Sequence, residues 1–140
     1  MNRKMTWAAA GMAVVLGLGI VAAAEKAPED YVKAMKAINT ANGQLRTLVP
    51  AKDFDAIATA AAGLKPSVEL TAKFWADKKV EDATKWSADV VKAVSDLEKA
   101  AKAKDEAGVT AAAGVISGSC RTCHTAHRTE RLPDGTYEIK

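Results

Sequence analysis

The sequence predicts an all-α protein, an antiparallel up-down four-helix bundle. Its 140 residues suffice for one domain with one core. Four stretches repeat apolar residues at helical spacing, the pattern of helices that each bury one stripe. Short connections separate them, and short connections between successive helices make them antiparallel neighbours.

The chain opens with the positively charged Met1-Asn2-Arg3-Lys4, runs apolar from Trp7 to Ala24, and carries the small-residue pattern Ala22-Ala23-Ala24. That order is the order of a secretory signal peptide, so residues 1–24 are expected to be removed before Glu25. As a retained anchor the run is short against the ~20 apolar residues of a span, and Gly11, Gly17 and Gly19 dilute it. Residues 25–140 are then the folded domain, exported to the periplasm, with no membrane span after cleavage. Loss of Arg3 and Lys4 lowers the formal charge from +3 to +1. A charge so small gives no reason to expect a nucleic-acid partner.

In the first helix Ala27-Pro28-Glu29-Asp30 supplies an early proline and acids for the first turn. Tyr31, Ala34, Met35, Ile38, Ala41, Leu45 and Leu48 form its stripe, and Pro50 ends it. Asp53 is the expected N-cap of the second helix, with Phe54, Ile57, Ala58, Ala61 and Leu64 on one face. Gly63 and Pro66 predict a kink or short break near Lys65-Pro66. Spacing resumes at Val68, Ala72 and Trp75, and Phe74-Trp75 is read as core rather than as a lid.

Val80-Glu81-Asp82 opens the third helix, whose stripe runs Ala83, Trp86, Val90, Ala93, Val94, Leu97 and Ala101. Lys92, Lys99, Lys102 and Lys104 read as its solvated face, with an acidic docking partner as the alternative. Asp105 starts the fourth helix through Val109, Ala112, Ile116, Cys120 and Cys123. Its Gly114 and Gly118 read either as room for a flat ring or as tight helix contacts. Pro133-Asp134-Gly135 is a turn signal, and residues 132–140 are expected to form an extended tail.

Both cysteines of the chain fall in Cys120-Arg121-Thr122-Cys123-His124. C-x-x-C-H reads as a c-type haem attachment site. Two thiols add across the two vinyl groups of one haem, and the adjacent imidazole ligates the iron. On a helix Cys120, Cys123 and His124 stand at i, i+3 and i+4 and share a face. A redox dithiol normally sits in a βαβ setting, and no strand pattern precedes this motif. Zinc would recruit His127 as a fourth ligand, but four residues along one helical stripe do not close a tetrahedron. Thioether attachment also suits export, because it leaves no free thiol in an oxidising compartment.

A four-helix bundle with C-x-x-C-H on its last helix resembles the class II cytochromes c, the cytochrome c-prime family. The segment Cys-Arg-Thr-Cys-His-Thr-Ala-His-Arg looks like that family's C-terminal signature. The resemblance implies one covalent haem c, with Cys120 and Cys123 as thioether attachments and His124 as the proximal iron ligand. Arg128 matches the basic residue the family keeps beside the haem. The resemblance is to the low-spin branch, whose distal ligand is a Met of the first helix, at Ala34-Met35-Lys36. Tyr31 stands one turn before it, where the family often has an arginine, and is expected to line the same surface. Redox partner proteins and a possible homodimer through the first two helices are implied as well.

Counting the side chains leads to the same ligand. Met1, Met5 and Met12 leave with the leader, so Met35 is the remaining methionine, and His127 is held on the side of His124. Plain core packing is the alternative for Met35. No glycine-rich phosphate loop and no nucleophile–base pair occurs, so an enzyme is not expected. The expected function is single-electron transport. The alternative is a five-coordinate protein that binds NO or CO.

Overall fold

The structure, a computed structural model, describes residues 24–140. The predicted leader lies outside the described residues. The chain forms an antiparallel up-down bundle of α1 (Glu29–Ala51), α2 (Phe54–Lys78), α3 (Glu81–Lys102) and α4 (Glu106–His127), with two short strands, β1 (Glu25–Lys26) and β2 (Glu138–Ile139). Each helix packs on the next in sequence, and α1 meets α4 only slightly. Among the described residues, no helix is long and apolar enough to cross a membrane.

The helix starts are chemical. Asp53 and Asp105 cap α2 and α4, each side chain accepting from a backbone N–H three residues on, Ala56 at 3.1 Å and Gly108 at 3.0 Å. The ends carry no glycine. Lys52, Lys79 and Lys104 adopt left-handed backbone with φ of 55°, 58° and 57°, and Lys52 and Lys79 close the last turns of α1 and α2.

The break expected at Lys65-Pro66 is absent, and α2 is continuous. Pro66, Gly63 and Ala62 all face solvent. The carbonyl of Ala62, which Pro66 cannot satisfy, is therefore open to water, and the ring has room outside the bundle. The third-helix lysines are a solvated face, since Lys85, Lys92 and Lys102 each pair along α3 with Asp89, Asp96 and Glu98. Glu98 also takes Lys65 of α2. Hydrogen bonds from Lys102 and Lys65 hold its carboxyl at about 2.

The main core runs along the bundle through Leu45, Ile57, Leu64, Val68, Val94, Leu97, Val109 and Ile116. Gly114 and Gly118 are not part of it. Both are exposed, and a Cβ built on either meets nothing within 4 Å. Neither close helix contact nor approach of a ring explains them. Gly114→Ala and Gly118→Ala are each expected to stabilise the protein by about 0.5–1 kcal/mol, because glycine costs that much in a helix interior. Urea denaturation measures it, and a loss of stability contradicts the outward placement.

The C-terminal segment, expected as an extended tail, is folded back on the bundle. A turn with Gly135 at φ 81° returns the chain so that β2 pairs antiparallel with β1, Glu25 opposite Ile139. Thr129 N–H donates to the Glu138 carbonyl at 2.9 Å, and Lys140 N–H to that of His127 at 3.1 Å. Ile139 is buried with Tyr31, Trp75 and Ala83 in a second cluster at this end. Ile139→Ala is expected to cost about 2 kcal/mol or more, the usual loss for an isoleucine removed from a packed site. A thermal melt unchanged within error would show that the tail does not stabilise the bundle.

Candidate cofactor site

All four helices contribute to one pocket of about 620 Å³, part of it open to solvent. Met35 and Ile38 reach it from α1, Thr71 and Trp75 from α2, Trp86 and Val90 from α3, and Cys120, Cys123 and His124 from α4. Helical phase explains the grouping. Met35, Ile38, Asn39 and Asn42 recur at i, i+3, i+4 and i+7 on α1, so they present one face. Cys120, Cys123 and His124 do the same on α4, as their spacing requires.

The protonation states suit a haem and disfavour the rival chemistries. Burial, then the charge of Arg128, lowers the pKa of His124. Its imidazole is thereby kept neutral, with a lone pair for a metal. Burial raises the Cys120 thiol. Burial, Cys120 and Asp82 push Cys123 up to about 11. The two sulfurs are free and stay protonated at neutral pH. A C-x-x-C oxidoreductase works through a lowered thiol pKa, so dithiol exchange does not fit.

Zinc does not fit either. Among the described residues, no group of three or more His, Cys, Asp or Glu side chains could hold a metal ion. His127 Nε2 is taken up by Asp82, 3.0 Å from both carboxylate oxygens, and its ring lies between Trp75 at 5.1 Å and Trp86 at 5.9 Å. That bond and the backbone N–H of Ala83 lower the Asp82 carboxyl, although desolvation opposes them. A haem, by contrast, needs two thiols and one imidazole along an apolar wall, and the pocket presents them.

Two residues expected near the cofactor do not line the pocket. Tyr31 is buried beside it, tilted against Phe74 at 4.3 Å and edge-on to Trp75 at 6.1 Å. Burial, with Cys123 nearby, pushes its phenol well above the usual range. Tyr31 falls a full turn before Met35, on the side where Ile139 and the tail cover α1. Arg128 is the C-cap residue of α4, and its guanidinium lies over the Tyr137 ring at 4.2 Å. Its charge still reaches His124. Phe74 belongs to the second cluster while Trp75 serves both that cluster and the pocket.

Several lining residues went unpredicted. Asn39 and Asn42 could have been found by extending the Met35 stripe by one and two turns. Trp86 was legible only as core, and nothing in the spacing marks Thr71, Ser87 or Ser119 as pocket residues.

Residues 62–128 match the family model described as Cytochrome C'. The match takes in most of α2, all of α3 and α4, and hence Cys120, Cys123 and His124; α1 with Met35 lies outside it. No curated protein and no solved structure matches the chain. The four-helix bundle, the C-x-x-C-H motif on its last helix and this match together make the chain similar to the cytochrome c-prime family.

Proposed function

We propose that the protein is an exported carrier of single electrons, a c-type cytochrome with His124 and Met35 as axial ligands. One observation carries the reading: a single apolar pocket brings Met35 together with Cys120, Cys123 and His124. Bound haem supplies the one-electron couple. Cys120 and Cys123 anchor it to α4, and His124, neutral through burial, offers its imidazole from the same face. Met35 offers a thioether from α1, which raises the reduction potential relative to a second histidine. Trp75, Trp86 and Val90 exclude water from the inner wall. Asp82 and the two tryptophans keep His127 away from the cofactor.

A second reading is a five-coordinate protein that binds NO or CO. The family match favours it at least as well, and that match does not extend to Met35. Met35 is then packing, and it does pack against both clusters. Optical spectra of ferric and ferrous holoprotein, with and without carbon monoxide, separate the two. A low-spin ferric spectrum with slow or poor CO binding supports the carrier. A high-spin spectrum with ready CO binding establishes the second reading.

A further inference from the structure

Charge divides the bundle into two unlike halves. From Tyr31 to Lys52 there is no carboxylate, and from Ala107 to Thr129 there is none. These spans are nearly the whole of α1 and α4. In α2 and α3, by contrast, eight carboxylates stand against seven lysines. Six of those lysines (Lys65, Lys73, Lys78, Lys85, Lys92 and Lys102) are held in ion pairs. Lys36, Arg46 and Arg121 are exposed and make no ion pair among the described residues. The first 23 residues contain no Asp or Glu that would supply one.

Arg46 and Arg121 fall on the helix faces that also line the pocket. Its α2 wall, Thr71 and Trp75, is buried, whereas Asn39 is exposed and the α4 wall is half-exposed. The opening is taken to lie between α1 and α4, the neighbouring helices that touch least. Ser117 Oγ and Asn42 Oδ1, 3.4 Å apart, join the two helices beside it. Met35, Asn39, Asn42 and Arg46 recur at i, i+4, i+7 and i+11 on α1. Ser117, Arg121 and His124 recur in the same way, at i, i+4 and i+7, on α4, which ends at His127. At 3.6 residues per turn each set keeps one face, so each stripe that carries a pocket residue also carries arginine.

We propose that this α1–α4 face is the docking surface for an acidic face of a redox partner protein. The inference rests on the electron-carrier reading and adds the place and the charge of the encounter. Cations that have no ion-pair partner among the described residues, set beside the opening of a low-dielectric pocket, steer an anionic partner toward it and orient it there. The lysine-rich face of α3, neutralised by its own carboxylates, does not.

The test uses ferrous holoprotein in stopped-flow oxidation by ferricyanide, an anion, and by tris(phenanthroline)cobalt(III), a cation. The ferricyanide rate is expected to fall several-fold as ionic strength rises from about 10 mM to about 200 mM, and the cobalt rate to rise. Arg46→Glu with Arg121→Glu is expected to slow ferricyanide about tenfold at low salt. Lys92→Glu with Lys99→Glu on α3 makes the same change in net charge and is expected to slow it less than about twofold. Unchanged haem spectra and helicity verify the fold, and the corresponding Gln pair, expected to act in the same direction, serves if the Glu pair does not fold. Equal losses for the two pairs, or rates indifferent to salt because the haem propionates already neutralise the arginines, overturn the docking surface. Failure of either oxidant to oxidise the ferrous protein reversibly sinks the electron-carrier reading instead.

Discussion

Met35→Ala is expected to turn a low-spin, six-coordinate haem protein into one with an open or water-filled axial position. Met35 lines the pocket from α1 while His124 lines it from α4, so loss of the thioether removes the α1 ligand and leaves the α4 ligand in place. No other side chain near that stripe replaces it, because Ile38 is apolar and Asn39 and Asn42 offer only amides. Carbon monoxide is expected to bind the ferrous variant readily and the parent slowly or poorly. The reduction potential falls with loss of the thioether. The helix survives, since alanine is the best helix former, and removal of a half-buried methionine costs about 1–2 kcal/mol of packing, below the full-burial range. A parent that is already high-spin, with a spectrum the substitution leaves unchanged, makes Met35 a packing residue and establishes gas binding.

Replacing Cys120 and Cys123 together by alanine is expected to make the haem extractable. Parent protein, matured in a host that assembles c-type cytochromes, keeps its haem on the polypeptide through denaturing gel electrophoresis. The double variant loses it. Haem lost from the parent under the same conditions removes the central claim. The apoprotein carries the larger energetic consequence. A covalent haem stays on the unfolded chain as well, so it stabilises the bundle through the apolar contacts and iron ligation that only the folded pocket at the motif supplies. Holoprotein is expected to melt well above apoprotein, whose apolar pocket is left unfilled. Apoprotein as helical and as heat-stable as holoprotein would show that the helices pack without the cofactor.

Much of the fold was legible in the residues before any coordinate. Apolar spacing marked four helices, Asp53 and Asp105 marked two of their starts, and Cys120, Cys123 and His124 could share a face only one way on a helix. These are local properties, decided within a turn or two by backbone geometry and capping. The continuity of α2 was decided otherwise. Gly63 and Pro66 read as a break, yet both fall on the solvent side, where water replaces the missing hydrogen bond; which side faces out depends on where α1 and α3 pack.

The same holds for the glycines of α4, whose small size suggested a ring or a tight contact and whose phase turns them outward. The tail reads as extended, but a two-residue strand has no pattern that names its partner; β2 exists through pairing with residues 25–26 and through the burial of Ile139. Spacing made His127 a possible metal ligand, and Asp82, 45 residues away, takes it. Tyr31 and Met35 share a stripe at the scale of one turn, but the tail covers the first and the pocket receives the second. The positive rim of the pocket is the longest-range case. Its residues lie some 75 positions apart in α1 and α4, and only the closing of the bundle sets the helix faces that carry Arg46 and Arg121 against one pocket. Periodicity records which face of a helix is buried; what that face meets is a property of the packed chain.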